Sequence, residues 1–366
     1  MMNEPGTAEL HAKLDVIRDA LDRNDLDAVR LRGNDWYAWA TCGGSNGVLL
    51  ATERGVAEVF VSRTTAAVVT DTIEERRLRD EEAPTELEIL AFPWSDPDER
   101  ETTLRQIAGG RAVASDRPAE DEVGLPAELV AAKRRLRPEE IDRYRTLGRD
   151  TAAAMTETLR QSRPSATEQE MAGLAANALW RRGIEPALVL VAGATRASRY
   201  RHPRPTNARV GDRVSMVMCG RRSGLVANLT RHAFLRRPTA REVADAAAVA
   251  AVEAAAWAAS RPQATLAEVY GAIVQAYASN GHAGAERDHH QGGTTGYLSR
   301  EVIATPRSAV RLDTPVALAW NPSLPGAKIE DTIILTDDGI EIITVDPAWP
   351  TIDVAGRPRP DLEVIG

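Results

Sequence analysis

Hydrophobic residues recur at two spacings along the chain, and the balance between these spacings changes near residue 135. In the first part, short apolar runs such as Val56–Val61 alternate with helical patterns such as that of residues 8–22. The predicted helices cover residues 8–22, 64–79 and 98–108, and the predicted strands cover residues 29–31, 47–50, 56–61, 87–92 and 112–114. This alternation is typical of a small α/β domain, which we assign to residues 1–135.

The second part, residues 136–366, is predicted to be an α+β domain of longer helices and antiparallel strands. A helix should begin near Pro138, and the alanine-rich run 240–259 has high helix propensity. Three Thr-x-x-Glu capping boxes mark further helix starts: Thr167 with Glu170, Thr239 with Glu242, and Thr265 with Glu268. The predicted strands cover residues 187–192, 213–219, 224–229, 316–320, 329–336 and 340–345, and Asp337-Asp338-Gly339 indicates a hairpin between the last two.

The composition of the chain argues against a nucleic-acid-binding protein, a disulfide-rich secreted protein and a membrane protein. The 366 residues carry a formal net charge of -8, which argues against a nucleic-acid-binding protein. Two cysteines are too few for a disulfide framework, and neither a signal peptide nor an apolar stretch long enough for a membrane span is visible. We therefore expect a cytoplasmic protein with no membrane partner. The basic run 133–137, which precedes Pro138, is interpreted as a solvated linker between the domains.

One turn, residues 287–297, contains the leading candidate for a catalytic residue. It holds His289 and His290, two of the six histidines, followed by small residues that let a ligand approach the backbone closely. An imidazole with a pKa near neutrality can take a proton from water and return it to a leaving nitrogen. His290 is therefore the leading candidate for a general acid/base, and a core histidine is the alternative interpretation. His289 is expected to orient the turn.

Polar residues stand at four places at strand ends or turns of the second domain, and their order resembles that of a known superfamily. These places are His202, the segment Asn228–Arg231, the His290 turn with Glu301, and Asn321 with Glu330. Together with Gly211-Asp212 and the Asp338-Gly339 hairpin, they resemble the creatinase, prolidase and methionine aminopeptidase superfamily over about residues 136–346. The resemblance implies the pita-bread fold for this domain and a creatinase- or prolidase-like N-terminal domain.

The resemblance also implies which positions should hold metal. Metallopeptidase members bind two metal ions through two Asp, one His and two Glu. The corresponding positions here are Met218 or Val217, Asn228, His290, Asn321 and Glu330. Thioether, alkyl and amide groups cannot offset the charge of two close divalent ions as carboxylates do. We therefore expect no metal ion and no other cofactor.

Creatinase, a branch of the superfamily that works without metal, offers the nearest comparison for this site. By that resemblance the chain is a metal-independent hydrolase of a C–N bond in a small molecule, with His290 as general acid/base and Glu330 orienting it or anchoring the substrate. The remaining candidate substrate-binding residues are His202, Tyr297, Asn228, Asn321, Arg231 and Glu301. An amide at 321, where creatinase has a carboxylate, argues against a guanidinium substrate. The resemblance further implies a homodimer.

Several alternatives remain open at the level of sequence. The chain could be an altered pseudo-peptidase that binds a small ligand or peptide, or an Xaa-Pro aminopeptidase/prolidase-like metallopeptidase. Tyr297 could be a core tyrosine, Arg231 could brace a strand or pair with Glu330, and Arg300 could neutralise Glu301. The amides at 228 and 321 could donate hydrogen bonds to a neutral or anionic ligand.

Overall fold

The structure is a computed structural model that describes residues 7–109 and 112–365. The chain forms two compact units, Met1–Arg134 and Arg135–Gly366, so the predicted domain boundary after residue 135 lies one residue beyond this division. The α/β and α+β classes predicted for the two parts are confirmed. In the described ranges, no helix is long and apolar enough to cross a membrane.

The N-terminal unit contains one six-stranded sheet in the order β4-β3-β2-β1-β5-β6. Strands β1, β2 and β3 pair antiparallel, whereas the outer pairs β3–β4, β1–β5 and β5–β6 are parallel. Its helices are α1 (Thr7–Arg23), α2 (Asn34–Ala40), α3 (Glu75–Arg77), α4 (Pro97–Ala108) and α5 (Ala127–Arg134), with a π-helix at Leu78–Glu82. Its strands are β1 (Ala28–Gly33), β2 (Arg54–Ser62), β3 (Ala66–Asp71), β4 (Glu88–Phe92), β5 (Val113–Ser115) and β6 (Val123–Gly124).

Two predicted elements of this unit are wrong. Residues 64–79 contain strand β3 instead of a single helix, because the run Ala67-Val68-Val69 is fully buried between β2 and β4. Residues 47–50 are not a strand; the side chains of Val48, Leu49 and Leu50 are mostly exposed in a bend. The basic run also differs from its prediction, since Lys133 lies in the last turn of α5 and its buried ammonium pairs with Asp35.

The C-terminal unit contains two larger sheets, with orders β11-β10-β12-β15-β16 and β19-β9-β8-β7, and two small two-stranded sheets, β13-β14 and β17-β18. Its helices are α6 (Pro138–Leu159), α7 (Glu168–Trp180), α8 (Ala194–Ala197), α9 (Ala240–Ala259) and α10 (Leu266–Ser279), with a 3-10 turn at Ala285–Arg287. Its strands are β7 (Glu185–Gly193), β8 (Arg213–Arg222), β9 (Leu225–Phe234), β10 (Gly292–Thr295), β11 (Val302–Ile303), β12 (Val316–Trp320), β13 (Ser323–Leu324), β14 (Ala327–Lys328), β15 (Asp331–Thr336), β16 (Gly339–Ile342), β17 (Thr351–Val354), β18 (Arg357–Pro360) and β19 (Glu363–Val364).

Local sequence signals explain where the long helices of this unit begin. All three predicted capping boxes form, and the hydroxyls of Thr167, Thr239 and Thr265 each accept a hydrogen bond from the backbone N–H three residues on. These bonds satisfy N–H groups that the first helical turn leaves unpaired. Helices α9 and α10 then pack apolar residues, among them Trp257 and Tyr277, against the five-stranded sheet.

The two larger sheets of the C-terminal unit meet along β9 and β15. The backbone N–H of Thr230 donates to the carbonyl of Glu330, and the Asn228 N–H donates to the Thr332 hydroxyl. These bonds place the middle of β9 beside the start of β15, which follows β14 closely in the chain. The residues that the sequence singled out at 228–231 and 328–331 therefore lie beside one another.

Candidate functional site

The β8–β9 hairpin forms one wall of the site, and its register determines which side chains face it. Val217 is the direct partner of Thr230, and Cys219 is the direct partner of Asn228. Direct cross-strand partners share a face of a sheet, and adjacent residues on a strand alternate between faces. Val217 therefore lies on the face of Asn228, and Met218 lies on the opposite face. Cys219 is buried, which raises the pKa of its thiol to about 12 and makes it a poor nucleophile.

Three imidazoles cluster at a second wall. The Nε2 atoms of His202 and His289 are 2.9 Å apart, and the rings of His289 and His290 stack with centroids 4.3 Å apart. The Nδ1 of His289 donates to the backbone carbonyl of His290, since a carbonyl can only accept. Neutral His289 therefore accepts at Nε2 from His202. His289 thus contacts both other imidazoles, and the buried Nδ1 of His290 has no hydrogen-bond partner among the described residues.

Glu330 is the carboxylate of the site, and two cations hold it. Its Oε1 is 2.5 Å from Nη2 of Arg300, and its Oε2 is 3.7 Å from Nζ of Lys328. Oε2 also accepts a hydrogen bond of 2.9 Å from Thr230. Burial alone would raise the pKa of Glu330, but the charges of Lys328 and Arg300 outweigh it and lower the pKa to about 2. Glu330 is therefore ionised at neutral pH.

The histidines are neutral at pH 7 because burial and the same two cations disfavour their charged forms. Burial, Arg300 and Lys328 lower the pKa of His290 to about 4. The pKa of His289 falls to about 3, and that of His202 is lowered as well, burial being the largest cause in both. The expected near-neutral pKa of His290 is thus wrong for the ligand-free protein. The imidazole can accept a proton, but it is a weak base in this state.

The two amides among the candidate residues are both buried. Asn228 is fully buried and donates from Nδ2 to the hydroxyl of Thr295. Asn321 follows β12, and its backbone N–H donates to the carbonyl of Gln291, so Asn321 lies beside the His290 turn. Within residues 7–109 and 112–365, neither side-chain Oδ1 has a hydrogen-bond partner. Both amides are therefore buried groups with an unused acceptor.

Tyr297 and Glu301, which the sequence placed in the substrate pocket, have structural partners instead. The buried hydroxyl of Tyr297 donates to Glu140 of α6 over 2.5 Å. Glu301 accepts from the backbone N–H groups of Tyr297 and Leu298 and so holds the turn between β10 and β11. These contacts support the core interpretation of Tyr297 and make Glu301 a turn residue.

Arg231 braces the sheet and does not pair with the Glu330 carboxylate. Its guanidinium donates to both carboxylate oxygens of Asp331, at 2.7 and 3.2 Å, and to the carbonyl of Thr344 at 3.0 Å. Asp331 also pairs with Arg359 at 2.7 Å. The cation that neutralises Glu330 is Arg300, which the sequence analysis had paired with Glu301.

Arg300 and Lys328 are the residues that sequence reasoning missed. A signal for Lys328 was present, because residues 328 and 330 are two positions apart at a strand end and extended chain directs such side chains to one face. No comparable local signal exists for Arg300, which reaches Glu330 from 30 residues away in the chain. A small cavity adjoins Lys328, and Val217, Thr230 and Tyr200 also contribute to its lining.

The residues present do not fit a dinuclear metal centre. The implied ligand positions hold Val217, Asn228, His290, Asn321 and Glu330, so one carboxylate stands where four would be needed. Its charge is already balanced by Arg300 and Lys328. Two divalent ions would add four positive charges beside two buried cations. The only group of potential metal-binding side chains found among the described residues is His202, His289 and His290, whose nearest ligand atoms lie within 4.8 Å of one another.

The chain is similar in fold to solved structures of peptidases and also to a solved domain of a FACT complex subunit. Dipeptidase PepE from Mycobacterium ulcerans is 19% identical with a TM-score of 0.80, over 99% of this chain and 100% of that one. An Xaa-Pro dipeptidase from Bacillus anthracis is 18% identical with a TM-score of 0.77, over 97% and 99%. The N-terminal domain of the FACT complex subunit SPT16 from Cicer arietinum is 10% identical with a TM-score of 0.69, over 92% and 96%.

Sequence comparison identifies the family. A search of curated proteins found no match. The model of metallopeptidase family M24 matches residues 142–337, which is more than half of the chain and includes the whole histidine and Glu330 region. The superfamily resemblance seen in the sequence is therefore confirmed, and the chain belongs to metallopeptidase family M24.

Proposed function

We propose that this chain is a hydrolase that cleaves a C–N bond of a small molecule without a dinuclear metal centre. The observation that carries the proposal is the pairing of Glu330 with Arg300 and Lys328, beside a neutral His290. Positive charge that metal ions supply in a metallopeptidase is supplied here by side chains. The family supports hydrolysis of a peptide-type C–N bond as the class of reaction.

Each residue has a distinct role in this proposal. Neutral His290 takes a proton from water and returns it to the leaving nitrogen. Arg300 stabilises negative charge that develops on the carbonyl oxygen. Glu330 holds the two cations, which replaces the earlier idea that it orients His290. His202, Asn228 and Asn321 line the pocket.

Two other functions each have an observation in their favour. Similar structures are named Xaa-Pro dipeptidase and prolidase, which favours a metal-dependent peptidase and supports peptide substrates more directly than creatine-like ones. The loss of carboxylates at three ligand positions favours a pseudo-peptidase that binds a ligand without cleaving it.

The test is a hydrolysis screen with Xaa-Pro dipeptides, N-acyl amino acids and creatine, run with and without EDTA. The wild type is compared with His290→Gln and with His11→Gln, which changes an exposed histidine of the N-terminal unit. Hydrolysis that resists EDTA and disappears only in His290→Gln supports the proposal. Hydrolysis that EDTA abolishes favours the metallopeptidase, and ligand binding that survives in His290→Gln without turnover in the wild type favours the pseudo-peptidase.

We also propose a cytoplasmic homodimer, on the strength of the superfamily resemblance and the cysteine content. Light scattering of the purified protein tests the oligomeric state, and a mass of about 79 kDa, twice that of the 39.6 kDa chain, is the expected value.

A further inference from the structure

The charges at the site do not balance. Arg300 contributes one positive charge and Glu330 contributes one negative charge. Burial lowers the pKa of the Lys328 ammonium, whereas the Glu330 carboxylate raises it, and protonated Lys328 adds a second positive charge. The other groups that face Lys328 are the thiol of Cys219 and the imidazoles of His202, His232, His289 and His290, and none of these groups is a carboxylate. Protonated Lys328 therefore leaves one positive charge without a counter-charge in a largely buried place.

Lys328 is the cation whose interactions are incomplete. Its side chain is 11% exposed, and the nearest carboxylate oxygen lies 3.7 Å away, beyond normal hydrogen-bond length. Arg300 has a short bond to Glu330, yet its buried Nε has no partner in the described part of the chain. A buried ammonium without full pairing is costly, so an interaction that completes it is strongly favoured.

The surroundings of Lys328 suit a negatively charged ligand. The lining of the adjoining cavity includes Lys328, Thr230, Val217 and a second cation, Arg201, which pairs with Asp288. Asn228 and Asn321 are neutral, whereas the carboxylates that metallopeptidases have at these two positions would repel an anion. A carboxylate forms charge-assisted hydrogen bonds with ammonium and guanidinium donors, which are stronger than bonds between neutral groups.

We propose that Lys328, supported by Arg300, binds a compact oxyanion beside Glu330, and that this anion is a carboxylate carried by the substrate. The inference rests on the proposed function only for the source of the anion, since binding itself requires no turnover. It also gives His290 a stronger role, because a bound anion offsets the two cations and raises the pKa of that imidazole towards neutrality.

The test measures binding to the full chain by calorimetry with three probes: N-acetylglycine, its neutral isostere N-acetylglycinamide, and acetate. We expect N-acetylglycine to bind at least roughly tenfold more tightly than the amide, because it alone pairs with Lys328. Lys328→Met should remove this preference, and Lys328→Arg should keep most of it. Arg76→Met, which removes a 94% exposed cation of the N-terminal unit, should leave it unchanged.

The outcomes separate the two proposals. Equal binding of N-acetylglycine and N-acetylglycinamide, or a preference that survives in Lys328→Met, overturns the anion site even where hydrolysis depends on His290. A Lys328-dependent preference without hydrolysis supports the anion site and counts against the proposed hydrolase alone. Acetate that binds as tightly as N-acetylglycine assigns the site to a free anion, and weaker acetate binding assigns it to the substrate.

Discussion

His290 is an imidazole that burial and two neighbouring cations keep uncharged. Its pKa of about 4 places the acid limb of kcat/KM, which reports the free enzyme, near pH 4. Activity should rise as pH increases through this value, because the base form then predominates, and should be level near pH 7. Initial rates at low substrate concentration between pH 3.5 and 8, a range chosen to span this limb, measure the profile.

The Lys328→Met variant supplies the control for this pH profile. Removing that charge takes away one of the causes that lower the pKa of His290, so the limb should move to higher pH. A wild-type limb near the ordinary histidine value of about 6.5 would contradict the assignment of His290 as the base in this electrostatic environment.

Glu330 is the next residue whose change has a defined consequence. Glu330→Gln leaves two buried cations without their carboxylate, and we expect the free energy of unfolding to fall by about 3 kcal/mol. The carboxylate is stabilising above its unfolded pKa of about 4.3, and this contribution is lost as pH falls towards the folded pKa of about 2. In urea unfolding, the wild type should therefore have the higher free energy of unfolding between pH 7 and about pH 5, and the difference from the variant should shrink at lower pH.

Glu341→Gln is the matched control for that measurement. Glu341 also pairs with an arginine, Arg145, but both side chains are over 40% exposed, so its loss should cost less than about 1 kcal/mol. A similar small loss in Glu330→Gln would mean that Arg300 and Lys328 do not depend on Glu330.

The sequence could single out some candidate residues because their signals are local or belong to a family pattern. His202, His290 and Glu330, which the resemblance indicated as candidates, lie near one another. The partners of Tyr297 and Arg231 could not be predicted, since Glu140 lies 157 residues away from Tyr297 and Asp331 lies 100 residues away from Arg231. A local pattern carries no information about contacts of that kind.

At the scale of elements, predictions succeeded where a local interaction decides the outcome and failed where tertiary pairing does. The three capping boxes are complete within four residues each, so the starts of α7, α9 and α10 were predictable. Strand β3 was mistaken for a helix because its alanines favour helices, whereas β2 and β4 on either side determine its conformation.

Arg359 of the β17–β18 hairpin forms buried ion pairs with both α9 and β15. The guanidinium of Arg359 lies 2.5 Å from Glu253 and 2.7 Å from Asp331, and 4.3 Å from the ring centroid of Trp257. Arg359→Met should lower the free energy of unfolding by about 3 kcal/mol, because Glu253 then loses its cation in a buried place. Chemical denaturation followed by tryptophan fluorescence measures this loss.

Arg357→Met on the same strand is the control, since Arg357 faces Trp257 at 5.9 Å and has no acidic partner among the described residues. It should change stability by less than about 0.5 kcal/mol. The double variant Arg359→Met/Glu253→Gln should recover part of the loss, because both members of the pair are then uncharged. An equal loss of unfolding free energy in Arg359→Met and Arg357→Met would contradict the stabilising role of the Arg359 ion pairs.

At the scale of the whole molecule, the chain has the fold of its family but a different set of charges at the candidate site. The C-terminal unit keeps the architecture of family M24 across residues 142–337, although three of the implied ligand positions carry no negative charge to offset that of metal ions. Apolar residues of α9 and α10 pack on the five-stranded sheet and stabilise this fold. The proposed exchange of metal ions for Arg300 and Lys328 therefore leaves the packing of these helices unchanged.

This exchange predicts the metal content of the purified protein. After incubation with excess manganese, cobalt and zinc and removal of unbound metal, we expect far less than one ion per chain at the ligand positions. The reason is electrostatic, because one carboxylate already balanced by two cations cannot offset divalent ions. Elemental analysis measures the stoichiometry, and EDTA should leave the melting temperature unchanged.

The imidazole cluster requires its own control, because neutral histidines are good ligands for zinc and cobalt. His289→Asn removes its central member and leaves Glu330 untouched. One zinc per chain that disappears in His289→Asn belongs to that cluster and is compatible with the exchange. Two ions per chain that persist in His289→Asn would contradict it, since they would show that Asn228, Asn321 and Glu330 bind metal despite the two cations.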